Sequence, residues 1–189
     1  MNASAQYTPG PAHGAQMQKK EGENWTLILV RELHHSPEKV WEALTKPEHL
    51  REWAPFDADG NLGTVGNKVK LTTVGAPKPH VTETVVWRAD APRRLEYTWG
   101  GNEMRWELEP QGGGTRLTLW TSINRHFIAM GAAGWHICFD VLDHLLGGDP
   151  IGRRVGPESM KFPGFDRLHA EYANQFGVQM PKWPPKTLS

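Results

Sequence analysis

The longest stretch of the chain with a helical hydrophobic period runs from Gly131 to Leu146. At about 100° per residue, its apolar side chains form one continuous arc of roughly 200°, and the remaining arc holds only two aspartates and two histidines. Gly147 and Pro150 follow, and both residue types end helices. An apolar arc this wide needs a long apolar surface elsewhere in the chain to pack against.

Segments with a period of two supply that surface. Trp25 to Leu33 is the first predicted strand, and its apolar face also carries Arg31. The later strands are separated by short turns such as residues 110–114, which favour an antiparallel meander because parallel pairs need long crossovers. The residues predicted to face inward on these strands are Val69, Leu71 and Thr73, then Val81, Glu83, Val85 and Trp87, then Leu95, Tyr97 and Trp99, then Met104, Trp106 and Leu108, and finally Leu117, Leu119, Thr121 and Ile123.

Two short helices are predicted between the first strand and the rest of the sheet. Ser36 is suited to cap the first helix and Pro37 to occupy its first position. Lys46-Pro47 ends that helix and starts a second, which carries Trp53. The fold class is therefore α+β: one curved antiparallel sheet wrapped around a long C-terminal helix, with two short helices after strand 1.

The domain is expected to cover residues 24–148. Residues 1–23 are rich in Ala, Gly, Pro and Gln and show no hydrophobic signal-peptide core, so we expect a disordered tail in a cytoplasmic protein. Residues 149–177 are expected to form a linker and an additional helix, and residues 178–189 a tail. The helix prediction depends on apolar residues at helical spacing, namely Phe165, Leu168, Tyr172 and Phe176.

Composition narrows the function classes. With 21 basic and 21 acidic residues the net charge is zero, and no basic block interleaves with aromatics, so no nucleic-acid partner is expected. No apolar run approaches the length of a membrane span. The single cysteine, Cys138, falls on the apolar arc of the long helix and is predicted to be a small buried hydrophobe. We expect a monomer or a homodimer.

Several segments together resemble the START-like (SRPBCC) superfamily, and more narrowly the branch named after the C-terminal domain of the activator of the heat-shock chaperone ATPase. They are Arg31 with the run Ser36 to Trp53, then 92–99 (PRRLEYTW), 106–110 (WELEP), 113–119 (GGTRLTL) and 134–147. The resemblance covers roughly residues 24–148. It implies a helix-grip fold with a cavity between sheet and long helix, and it says little about the occupant.

Three function classes follow from that resemblance. The first is binding of a small hydrophobic or aromatic molecule in the cavity. The second is a cyclase or hydrolase acting on a polyketide-like or aromatic substrate, and the third is a co-chaperone-like protein-interaction module. The chaperone activator carries a separate N-terminal domain, which the 23 residues before the first strand are too few to form.

Charged residues on apolar strand faces are the candidate catalytic groups. Arg31 and Glu83 each interrupt an apolar inward set, and a buried charge must be paired or serve a purpose. They either face the cavity as anchor and acid/base, or lie at the sheet rim or outside it, since a one-residue slip of register reverses every facing. No nucleophile elbow, phosphate loop or Cys-x-x-Cys motif is present, so no cofactor is expected and enzymatic activity is left open.

The spacing of His136, Asp140 and His144 suits a metal site, because residues four apart share a helix face. The same arc contains every polar residue of the helix, so a solvated polar face explains the spacing without a metal. We therefore predict no metal site here.

Aromatic residues are the stronger candidates for a binding site. They indicate either an aromatic-lined cavity suited to a flat apolar ligand or a solid packed core. The candidate ligand-binding residues are Trp53, Phe56, Leu71, Thr73, Trp87, Tyr97, Trp99, Met104, Trp106, Thr121, Trp135 and Phe139.

Overall fold

The computed structural model describes residues 7–22 and 24–180. Strands and helices follow in the order β1 (Ala15–Lys19), β2 (Asn24–Leu33), α1 (Pro37–Thr45), α2 (Pro47–Trp53), β3 (Phe56–Ala58), β4 (Lys68–Thr73), β5 (His80–Val85), β6 (Arg88–Asp90), β7 (Arg94–Trp99), β8 (Asn102–Gln111), β9 (Gly114–Asn124), α3 (Ile128–Leu146), α4 (Pro157–Met160) and α5 (Phe165–Phe176). A short 3₁₀ turn, Arg125–Phe127, leads into α3.

Antiparallel pairing organises the strands into two groups. One sheet has six strands in the order β1-β2-β9-β8-β7-β6, and a second has three in the order β3-β4-β5. Helix α3 packs against β2 and β9 of the large sheet and against α2, and its residues Ile137, Val141 and Leu142 are buried. This arrangement confirms the predicted α+β helix-grip architecture.

The predicted inward faces of β2, β4, β7, β8 and β9 are confirmed, but that of β5 is wrong. Val81 and Val85 are about half exposed and Glu83 is exposed, whereas Thr84 on the same strand is buried. Threonines face inward because their hydroxyls accept hydrogen bonds from β7: Thr84 Oγ1 accepts from the backbone N–H of Thr98 at 2.9 Å. The hydrogen bond between the two sheets therefore places a threonine inward on β5, and the valines that alternate with it face outward.

The N-terminal segment is ordered where the sequence predicted a disordered tail. Residues 15–19 pair with β2 as the edge of the large sheet. Just before it, Ala12 N–H donates to Glu171 Oε2 at 2.8 Å, and on β1 Ala15 C=O accepts from Gln175 Nε2 at 2.7 Å, both on α5. Backbone pairing and contacts with a distant helix order this segment, and neither leaves a hydrophobic period. Residues 1–6 and 181–189 lie outside the described part.

The C-terminal region contains a helix at 165–176, where helical spacing predicted one. Phe165, Leu168, Tyr172 and Phe176 are buried, and α5 packs on the outer side of α3. Gly177, with φ +61°, ends the helix in the left-handed conformation that favours glycine.

Candidate functional site

A cleft of about 200 Å³ opens between the sheet, α3 and the segment that follows α3. The sheet contributes Trp99 and Thr121, and α3 contributes Trp135 and Cys138. The remaining wall comes from residues 154–159, which lie across the cleft. The full lining is Pro55, Trp99, Asn102, Thr121, Ser122, Ile123, Gly131, Gly134, Trp135, Cys138, Arg154, Val155, Gly156 and Ser159.

Gly134 of α3 makes room for this cleft, whereas Gly131 allows the close approach of Ile123, whose Cδ1 would lie 2.6 Å from a Cβ at that position. Gly131, Gly134, Trp135 and Cys138 are spaced i, i+3, i+4 and i+7, so they share one helix face. A Cβ added at Gly134 would meet no atom within 4 Å. Glycine inside a helix costs roughly 0.5–1 kcal/mol relative to alanine. The empty space at Gly134 therefore comes with a local loss of helix stability.

Trp99 and Trp135 form a corner of the cleft. Their ring centroids lie 6.0 Å apart with an interplanar angle of 85°, an edge-to-face contact. The Trp99 indole N–H donates to Thr73 Oγ1 at 3.1 Å, which fixes the ring. The cleft thus has a rigid aromatic wall.

Most of the other predicted aromatic residues form a packed core beside the cleft. Trp106 contacts Trp53, Trp135 and Phe139 at centroid distances of 6.2, 5.7 and 6.1 Å, and its indole N–H donates to the Tyr97 hydroxyl at 3.2 Å. Burial raises the pKa of that hydroxyl. These side chains support the Trp135 wall from behind and do not line the cleft. The same holds for Phe56, Leu71 and Met104, which are fully buried.

Two polar groups of the cleft lining, the Thr121 hydroxyl and the Cys138 thiol, carry no charge. Thr121 Oγ1 donates to the sulfur of Met104 at 3.2 Å. Burial raises the pKa of the Cys138 thiol to about 12, so it stays protonated and unreactive at neutral pH. This agrees with the prediction that Cys138 is a buried hydrophobe.

Trp87 and Glu83 do not reach the cleft, so their predicted inward facing is wrong. Trp87 is 46% exposed, and its indole N–H donates to Glu96 on the outer side of the sheet. Glu83 lies opposite Lys70 on the outer face of the small sheet. Both errors arise because the alternation of residues 81–87 is reversed, with Thr84 and Val86 buried and Val85 and Trp87 exposed.

Arg31 faces inward as predicted, but it lies in a separate polar cluster. Its guanidinium pairs with Asp140 of α3, whose carboxylate also accepts from the Tyr7 hydroxyl. Since Glu83 is exposed and Arg31 is held by Asp140, the two do not form an acid/base pair in one site.

His136 belongs to the same cluster and is only 2% exposed, so the predicted solvated polar arc is wrong at this position. Its Nδ1 lies 2.8 Å from the Tyr172 hydroxyl of α5, which in turn donates to the backbone carbonyl of His13. Burial lowers the pKa of His136 to about 4, outweighing the carboxylate of Asp140 at 3.5 Å. Within residues 7–22 and 24–180, no group of three or more His, Cys, Asp or Glu side chains is arranged to hold a metal ion.

The sequence could have pointed to part of the cleft lining. Gly134 interrupts the apolar face of the helix that carries Trp135, and a glycine within such a face is the signal that could have pointed to the open space there. The wall at Arg154, Val155 and Ser159 could not be predicted, because its segment has no hydrophobic period and meets the cleft only in the tertiary structure.

The architecture and the position of the cleft define the class: a START-like helix-grip protein with a cleft beside its long helix. The family model for Activator of Hsp90 ATPase homolog 1-like protein (AHSA1) matches residues 34–147, more than half of the chain. The chain belongs to this family. A comparison with curated protein sequences found no match.

Solved structures share the fold at low sequence identity. A protein of unknown function from Enterococcus faecalis, EF2215, superimposes with a TM-score of 0.65 at 18% identity, covering 86% of this chain and 90% of its own. CalU16 from Micromonospora echinospora gives 0.61 at 20% identity, with 87% and 96% covered. MLL2253 from Mesorhizobium loti gives 0.57 at 25% identity, with 65% and 97% covered. In the part of the chain that is described, no helix is long and apolar enough to cross a membrane.

Proposed function

We propose that this protein binds a small hydrophobic or aromatic molecule in the cleft between its sheet and α3. The observation that carries the proposal is the open space at Gly134, bounded by the rigid corner of Trp99 and Trp135. Binding there would remove apolar surface from water on both partners, and each Å² contributes about 25 cal/mol. Ligand sites in proteins are typically apolar clefts with a few polar groups that orient the ligand.

Ligand retention is the first test. The purified protein is extracted with organic solvent, with and without prior denaturation, and the extracts are compared by mass spectrometry. A small molecule released in stoichiometric amount only after denaturation supports the proposal and identifies the ligand class.

A cleft-filling variant tests the location. Gly134→Leu places a side chain in the open space, so we expect it to fold normally and to abolish ligand retention. Asp143→Leu is the matched control, because it introduces the same side chain on the partly exposed arc of the same helix. Equal ligand retention by Gly134→Leu and the unmodified chain would contradict the proposed site.

A further inference from the structure

The dimensions and lining of the cleft narrow the ligand further, on the basis of the function proposed above. We infer that the cleft takes a neutral ligand with a single aromatic ring and one hydroxyl group, such as a simple phenol. Three features of the cleft support this: its volume, the arrangement of its aromatic wall, and the hydrogen bonding of Thr121.

The volume of the cleft favours a ligand of about one ring. The cleft measures about 200 Å³, whereas an apolar cavity of about 150 Å³ accommodates benzene. Sites for drug-sized ligands begin at about 300 Å³. The cleft volume therefore matches a ring with one or two substituents more closely than a fused polycycle or a long acyl chain.

The wall favours a flat ring over an aliphatic one. Trp99 and Trp135 meet at 85°, so a ring stacked on one indole presents its edge to the other. Because the Trp99 N–H already donates to Thr73, this indole offers its face and not its donor.

Thr121 provides an acceptor for one ligand hydroxyl. Its side chain is buried, and its proton is directed at the Met104 sulfur, which is a weak acceptor. The oxygen can therefore accept a hydrogen bond from a ligand O–H. The Cys138 thiol in the same lining is protonated and adds no charge. Arg154 also lines the cleft, but its guanidinium lies over the ring of Phe162, 4.4 Å from the ring centroid, and Phe162 is not part of the lining. The region around Thr121 and Cys138 therefore suits an uncharged group.

The test measures binding of four probes to the full-length protein by tryptophan fluorescence and ligand-observed NMR. The probes are phenol, toluene, benzoate and 1-naphthol. Phenol is expected to bind, with benzoate and 1-naphthol weaker by about tenfold or more, because one brings a charge and the other a second ring.

Thr121→Val isolates the hydroxyl contact, since valine has nearly the same shape. It is expected to weaken phenol binding by about three- to tenfold and to leave toluene within about twofold, as befits the loss of one neutral hydrogen bond. Thr118→Val, on the outer face of the same strand, is the matched control and should change neither affinity.

The outcomes separate this inference from the proposed function. Tighter binding of benzoate or 1-naphthol than of phenol, lost in Gly134→Leu, overturns the phenol inference and leaves ligand binding in the cleft standing. Unchanged phenol affinity in Thr121→Val also overturns the inference. Failure of every probe to bind, together with an empty organic extract, overturns both.

Discussion

Protonation of His136 should make the stability of this protein depend on pH. The ring is buried between α3 and α5 and keeps its pKa at about 4, against 6.5 for an ordinary histidine. Burial opposes its protonation most strongly, Arg31, His13 and Arg167 oppose it as well, and Asp140 favours it. The folded protein therefore resists taking up a proton that the unfolded chain accepts readily.

The size of the effect follows from the difference in pKa. Well above pH 6.5 the ring is neutral in both the folded and the unfolded state, and this group adds no pH dependence. As the pH falls from 6.5 towards 4, only the unfolded chain is protonated, so the free energy of unfolding decreases by about 3 kcal/mol in total. Most of that decrease should have occurred by pH 4.5.

Urea denaturation followed by tryptophan fluorescence, at a series of pH values from 7.5 to 4.5, measures the effect. His136→Asn cannot be protonated, so it should lose about 2–3 kcal/mol less than the unmodified chain over this range. Other titrating groups contribute equally to both proteins and cancel in the comparison.

His144→Asn is the matched control, because His144 lies on the same helix with its side chain 41% exposed. It should follow the unmodified chain at every pH. If His136→Asn shows the same pH dependence as the unmodified protein, the buried histidine is not the source and the burial argument fails.

Three further predictions concern stability and the absence of an effect. Arg31→Met should lower the free energy of unfolding, measured by urea denaturation, by about 3 kcal/mol, because Asp140 is left mostly buried without its cation. The double variant Arg31→Met/Asp140→Leu should recover most of that loss. Equal losses in the single and the double variant would refute the coupling of the two side chains. Trp106→Ala should cost about 3–5 kcal/mol by thermal or urea unfolding, since its ring packs on Trp53, and a loss below about 1 kcal/mol would contradict that packing. Glu83→Gln should change the free energy of unfolding by less than about 0.5 kcal/mol and leave phenol affinity unaltered, because Glu83 is exposed. A large change of phenol affinity in a binding titration would mean that Glu83 belongs to the binding site.

Local patterns predicted those parts of the fold that depend on residues close together in the sequence. Hydrophobic periodicity within one element was sufficient to predict the apolar arc of α3 and the alternation in β8. The residue types at the start of α1 were sufficient to predict the Ser36 cap. The cap is formed as expected, with the Lys39 N–H donating to Ser36 Oγ at 3.3 Å.

Contacts between distant segments decided the facing of β5 and the burial of His136, which the sequence pattern did not predict. Thr84 faces inward because a strand of the other sheet needs an acceptor, and His136 is buried because α5 and residues 7–13 cover it. Such requirements come from partners many residues away and leave no period in the segment itself.

The sequence by itself therefore determined the fold class, the long helix and most of the aromatic core, since burial of apolar surface imposes a period that can be read locally. Only the tertiary structure decided which aromatic residues line open space and which fill it. Trp99 and Trp135 line the cleft while Trp106 packs behind them, although all three follow the same apolar pattern. Hydrophobicity specifies that a side chain leaves water; the packing of the surrounding elements specifies whether it meets another side chain or a cavity.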